Sequence, residues 1–210
     1  PYPDLDASVK LIKIPSLGLY EKKSKFFDVQ LSSLTDPINL FEWLSINSGG
    51  FPEPYTFGKR LKKVLSNDID KYDIVHDNQS LCYELLDFQK QKPLVTTIHH
   101  PISKDLNYQL HSTNDIFLKL LMRRWHSFLT MQKFVAKKLN KILVPSKSSI
   151  VDIREEFGVK ENKMERLMNG IDRDVFYPDP KVRKISRKIV TVASADVPLK
   201  GLDLSLIHIS

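Results

Sequence analysis

Apolar residues along this chain fall into short runs whose period switches between two and about three and a half, so strands and helices are expected to alternate. Residues 9–15 (VKLIKIP) alternate apolar and basic side chains, the pattern of a strand. Asp36 ahead of Pro37 predicts the capped start of a helix reading PINLFEWL, since proline is tolerated in a first turn. The stretch 48–54 (SGGFPEP) breaks regular structure, and 56–66 (TFGKRLKKVLS) predicts a helix with a basic face. A short buried strand at 72–76 (YDIVH), a helix at 81–90 and a β-branched strand at 93–98 (PLVTTI) follow. Residues 114–139 read as one long helix, because Phe117, Leu121, Trp125, Phe128, Val135 and Leu139 recur every three, four or seven positions. Then come a strand at 141–145, a helix at 149–157 with Ser146 as cap and Gly158 as stop, and a strand at 163–168. A proline-flanked linker (177–180) and a last strand at 188–193 (KIVTVA) complete the series. Strands alternating with helices predict the α/β class: a parallel sheet with helices on both faces, and ligands at the carboxyl ends of its strands.

Composition narrows the picture. The chain has 210 residues, 41% of them hydrophobic, enough for one sizeable core with a piece of a second. A charged fraction of 27% argues against wholesale disorder, and no apolar run approaches the roughly 20 residues that span a bilayer. The opening residues resemble no secretory leader and include no initiator methionine, so the natural N-terminus is expected to lie upstream. Cys82, the single cysteine, supports neither a disulfide framework nor a zinc site and favours a reducing, cytoplasmic compartment. A net charge of +7 draws anions without choosing among nucleic acid, anionic lipid and phosphorylated metabolites.

Candidate chemistry gathers where strands end. His99 and His100 directly follow the strand at 93–98, where a group able to donate and accept protons near neutrality is useful. Two neighbours on extended backbone cannot both point into one cleft, and spacing does not choose between them. His76, Asp77, Asn78 and Gln79 follow the preceding strand and suit hydroxyl recognition, although an Asp or Asn cap at an ordinary turn would look the same. Asn169-Gly170, ahead of Ile171-Asp172, favours positive φ and a sharp turn. Lys200 sits after the last strand, where it could meet phosphate oxygens or simply be solvated. The six histidines show no metal-binding spacing, and neither a nucleophile elbow nor a Walker A loop occurs.

Six segments, in order, resemble the retaining glycosyltransferases of family 4: 49–61 (GGFPEPYTFGKRL), 72–81 (YDIVHDNQSL), 93–102 (PLVTTIHHPI), 142–159 (ILVPSKSSIVDIREEFGV), 168–178 (MNGIDRDVFYP) and 192–203 (VASADVPLKGLD). The resemblance implies the two-domain GT-B fold. Residues 1–172 would form the N-terminal, acceptor-side Rossmann-like domain without its first strand, and 173–210 a linker and the beginning of the nucleotide-sugar-binding domain. It implies transfer of a sugar from a nucleotide-diphosphate donor with retention, without a required metal or other cofactor, the leaving phosphate helping to deprotonate a lipid or saccharide acceptor. His99 would lie against the donor sugar and is the expected catalytic residue. His76, Asp77, Asn78, Gln79 and His100 would bind substrate, Lys200 would contact the donor diphosphate, and Asn169, Gly170 and Asp172 would mark the interdomain hinge. The family's Gly-Arg ahead of that lysine is replaced by Ser194 and Ala195. The acidic motif of the second domain is not reached, and 204–210 (LSLIHIS) resembles adapter-derived sequence more than the expected helix. On this reading the chain by itself is inactive.

A different class of function competes: a basic α/β module docking on an anionic membrane, or on nucleic acid, through Arg123, Arg124, Lys133, Lys137 and Lys138 on one helix. No nucleic-acid motif with interleaved aromatics accompanies these charges, so nucleic acid is not the expected partner, and a solvated helix face accounts for them equally well. Peripheral contact with the inner face of a membrane is compatible with the transferase reading.

Overall fold

The computed structural model describes residues 6–183 and 185–188. The chain divides into two units, Pro1–Leu167 and Met168–Ser210. Among the described residues the helices and strands all lie in the first: α1 (Pro37–Asn47), α2 (Glu53–Leu65), β1 (Val75–Asn78), α3 (Leu85–Gln91), β2 (Leu94–Thr97), α4 (Ser103–His111), α5 (Ile116–Trp125), α6 (Leu129–Lys138), β3 (Ile142–Val144), α7 (Lys147–Phe157) and β4 (Met164–Arg166).

The four strands form one sheet in the order β1-β2-β3-β4, every neighbouring pair parallel. Register places Val75 beside Leu94, Asn78 beside Thr97, Thr96 beside Ile142 and Val144 beside Arg166. Side chains alternate across a strand, so register also decides which residues share a face. One alternate set, including Leu94, Ile98, Ile142 and Val144, enters the main core with Phe88, Met131, Val135 and Phe157 from α3, α6 and α7. The other set, with His76, Asn78, Val95, Thr97 and Leu143, stays partly or fully accessible. An α/β sheet flanked by helices therefore stands as the pattern of its segments predicts.

Local chemistry explains the helix ends. Asp36 accepts the Ile38 N–H at 2.7 Å at the start of α1, and Ser146 accepts the Ser149 N–H at 3.0 Å at the start of α7. Gly158 closes α7 at φ 67°, a left-handed position that glycine takes without a Cβ penalty. Arg60 on α2 forms a buried ion pair with Glu42 on α1 and donates to Asn39 at 2.7 Å, tying these helices together.

Several elements differ from the sequence reading. Residues 9–15 form no strand: they pair with none of the described strands, and Val9, Leu11 and Ile12 remain exposed. The helix at 114–139 is two helices joined by a 3-10 turn at His126–Phe128. There the buried His126 donates its ring Nδ1–H to the Met122 carbonyl at 2.8 Å, and the tighter turn seats Phe128 in the interior. Helix α4 has no counterpart in the sequence reading; only Leu106 and Leu110 mark its period, and Ser103 is its sole buried residue. Helix α3 starts at Leu85 rather than 81, because left-handed Leu81 (φ 50°) belongs to the preceding turn. Strand β1 is displaced toward the C-terminus, so His76, Asp77 and Asn78 lie within it rather than after it.

In the second unit, Asn169-Gly170 makes no sharp turn. The described glycines with positive φ are Gly18, Gly49 and Gly158. The turn forms three residues later, where Asp172 Oδ1 accepts the Asp174 N–H at 2.9 Å and the Phe176 N–H reaches the Asp172 carbonyl at 2.9 Å. An Asx turn supplies what Asn-Gly was expected to supply. Most of the expected strand 188–193, and Lys200, lie outside the described residues.

Two substitutions test the packing. A Cβ on Gly58, in mid-α2, would collide with Glu84 Oε2 and come within 2.6 Å of Cys82 Cβ. Overpacking of this kind costs about 1–3 kcal/mol, whereas alanine returns about 1 kcal/mol of helix propensity over glycine. Gly58→Ala is therefore expected to lower the urea midpoint. Conversely, Thr96 is fully buried with its hydroxyl unpartnered, so near-isosteric Thr96→Val is expected to raise stability by about 1 kcal/mol in the same denaturation.

Candidate functional site

The accessible face of the sheet becomes polar toward its carboxyl edge. On β1 it carries His76 and Asn78; on β2 it carries Thr97, with His99 two residues beyond. The two rows interlock: His76 Nε2 lies 2.8 Å from Thr97 Oγ1, and His99 Nε2 lies 2.8 Å from Asn78 Oδ1. Because the Asn78 oxygen can only accept, His99 Nε2 is the donor in their hydrogen bond.

Gln79 continues this arrangement past the last strand pair. Its Oε1 accepts the His99 N–H at 2.7 Å, and its Nε2 donates to the His100 carbonyl at 2.8 Å. His100 turns elsewhere: its Nε2 lies 3.1 Å from Asp105 Oδ2 on α4, and its side chain is more than half exposed. The structure thus separates the two histidines. It brings His76, Asn78, Gln79 and His99 together and gives His100 a partner of its own. Asp105 and Thr97 were missed by the sequence reading. Thr97 could have been found from its spacing, two positions before His99 on the same strand.

Asp77, expected among the substrate-binding residues, is set apart from this group. It points to the inner face, is 7% exposed, and is used up in the turn between β1 and α3. Oδ1 accepts from the Ser80 N–H (3.1 Å) and hydroxyl, and Oδ2 from the Leu81 N–H (3.4 Å). These bonds hold a turn in which Gln79 (φ 59°) and Leu81 (φ 50°) are both left-handed, backbone that non-glycine residues seldom adopt. Beside the turn, Ser80 lines a cavity of about 360 Å³ together with Phe51, Glu53, Thr56 and Arg60. Burial raises the Glu53 carboxyl above its ordinary range, and its Oε2 has no partner.

The basic residues expected on one helix are divided between α5, with Arg123 and Arg124, and α6, with Lys133, Lys137 and Lys138. Arg124 donates to the hydroxyls of Ser45 (3.1 Å), Ser48 (2.9 Å) and Ser127 (3.3 Å), where it braces α5 against the end of α1. Lys138 lies over the Phe134 ring at 4.0 Å, on the far side of the 3-10 break. Among the described residues no helix is long and apolar enough to cross a membrane, and no group of three His, Cys, Asp or Glu side chains could hold a metal ion.

Burial raises the Asp77 carboxyl above its usual value of 3.8, and the hydrogen bonds from Ser80 and Leu81 only partly offset this. A carboxyl whose folded pKa is raised binds its proton more tightly in the folded state. The stability it contributes is fully present below the unfolded pKa and is lost as pH rises through the folded value. Asp77→Asn is expected to remove that loss. The difference in urea midpoint between variant and parent should shift in the variant's favour as pH rises from about 4 through the raised value.

This geometry belongs to a segment with clear relatives. The family model described as Glycosyltransferase Family 4 matches residues 25–175, a span that includes the whole sheet and all the residues just described. The chain is 39% identical over 210 residues to the MMP alpha-(1->4)-mannosyltransferase of Mycolicibacterium hassiacum. That alignment takes in 99% of this chain and 50% of the relative, so the chain spans about half the length of the curated relative it matches. The parallel sheet, the polar strand ends and the match across most of its length together assign the chain to glycosyltransferase family 4.

Proposed function

We propose that the protein carrying this sequence transfers a hexose from a nucleotide-diphosphate donor to a hydroxyl of a saccharide or lipid acceptor, with retention of configuration. The observation that carries this reading is the ordered His99 at the carboxyl end of β2, its ring held by Asn78 and its backbone by Gln79. In the reaction, the bond between the anomeric carbon and the diphosphate breaks and the acceptor oxygen bonds to the same face. The acceptor proton passes to the departing phosphate oxygen. His99 contacts the donor sugar, while His76, Asn78 and Gln79 line its side of the cleft. His100 stands farther out, on the substrate-binding rim. Asp77 supports the site by building the turn.

Residues 1–172 serve as the acceptor-side domain, and 173–210 lead into the nucleotide-binding domain. Asn169, Gly170 and Asp172 make the hinge, and Lys200 meets the donor diphosphate. Mannose is the first donor sugar to test, because the relative is named a mannosyltransferase. The lone, buried Cys82 suits a reducing compartment such as the cytoplasm.

A panel of UDP- and GDP-sugars, offered to the full-length protein with and without magnesium, tests the reading; neither transfer nor hydrolysis from any donor would sink it. His99→Ala is expected to lower turnover by roughly two to four powers of ten, the range for a positioned polar or acid–base group. The melting temperature should change little, since His99 is only half-buried. His100→Ala should have the smaller effect, and the reverse order would reassign the role to His100.

A further inference from the structure

We propose that Gln79 is a positioning residue that selects which of the two adjacent histidines faces the site. The proposal rests on the transferase reading and deepens it.

The paired register of β1 and β2 ends at Asn78 and Thr97. One residue further, the main chain of β1 turns away through left-handed Gln79. The β2 strand continues outward as His99-His100 with no strand partner on that side, and an unpaired strand end frays readily. The Gln79 side chain bonds this stretch where the strand pairing has stopped. Its amide offers both an acceptor and a donor. It uses both, on the His99 N–H and the His100 carbonyl.

The two bonds bracket the pair, one on the N–H ahead of the His99 side chain and one on the carbonyl after that of His100, and so hold the backbone that sets the direction of both side chains. His99 is then directed to Asn78 and the polar face, and His100 to Asp105 on α4. Two consecutive amides thus act on one histidine from two sides, Asn78 holding the ring and Gln79 the backbone beneath it. Asparagine at position 79 would be a methylene too short to span both groups. Glutamate could accept from His99 but would oppose the His100 carbonyl.

The left-handed backbone at Gln79 makes the proposal separable from a purely structural role. Glycine is the residue that this φ favours, so Gln79→Gly removes the clamp while relaxing the backbone. In the full-length protein, Gln79→Gly is expected to leave the melting temperature unchanged or raised. It should speed hydrogen exchange of the His99 amide about tenfold, as suits the loss of one hydrogen bond. Where a nucleotide sugar is turned over, kcat should fall at least about tenfold while KM moves much less, because a loosened His99 loses orientation rather than substrate affinity. Gln79→Glu should keep the His99 amide protected and still lose turnover.

Unchanged His99 exchange in Gln79→Gly would overturn the clamp. So would unchanged kcat in a protein that is active. If the unmodified protein turns over no nucleotide sugar, the transferase reading fails, and the exchange measurement still decides whether Gln79 orders the histidine pair.

Discussion

The two-residue period of the parallel strands is the constraint from which the rest of the structure follows. Leu94, Ile98, Ile142 and Val144 must leave water, and one sheet face packed beneath α3, α6 and α7 removes them. Once these residues face inward, the residues between them face outward. His76, Asn78, Thr97 and His99 reach the polar face because their neighbours are apolar. A slip of one residue in β1 or β2 would bury the histidines and expose the leucines and isoleucines. The energy that holds the core also holds the register of the site.

The carboxyl edge of the sheet carries the irregular backbone. Strand β1 ends in a turn with two left-handed non-glycine residues, held by an aspartate buried below it. Strain at such positions persists only where its surroundings fix it. Here Asp77 fixes the turn from below, and Gln79 ties it to the neighbouring strand. The turn is thereby stiff where a plain loop would be mobile. That stiffness holds the His99 ring in one direction at the strand end.

Charged side chains also brace the framework. Several basic residues that look solvent-facing in the sequence have structural partners. Arg60 neutralises a buried glutamate, and Arg124 gathers three serine hydroxyls. The net charge of +7 therefore does not say where the free positive charge lies, and a basic docking patch cannot be read from the number alone.

By itself, the sequence determined the class of fold, the caps of α1 and α7, and the family. The caps were legible because Asp36, Ser146 and Gly158 act through their own backbone neighbourhood, and the strands at 93–98 and 141–145 because β-branched apolar runs seldom do anything else. The strand expected at 9–15 and the single helix at 114–139 failed for a common reason. A periodic pattern supplies an apolar face, but a strand forms only where the chain is brought alongside another strand, and a helix continues only where the core does not ask it to tighten. The histidine pair was legible as chemistry and undecided as geometry. Only the tertiary structure gave its members different surroundings, because those of His99 include Asn78 and Gln79, about twenty residues away in sequence. Asp77 shows the same limit: its residue type suits substrate hydroxyls and backbone amides alike, and the direction of one side chain, set by the register of β1, gave it to the backbone.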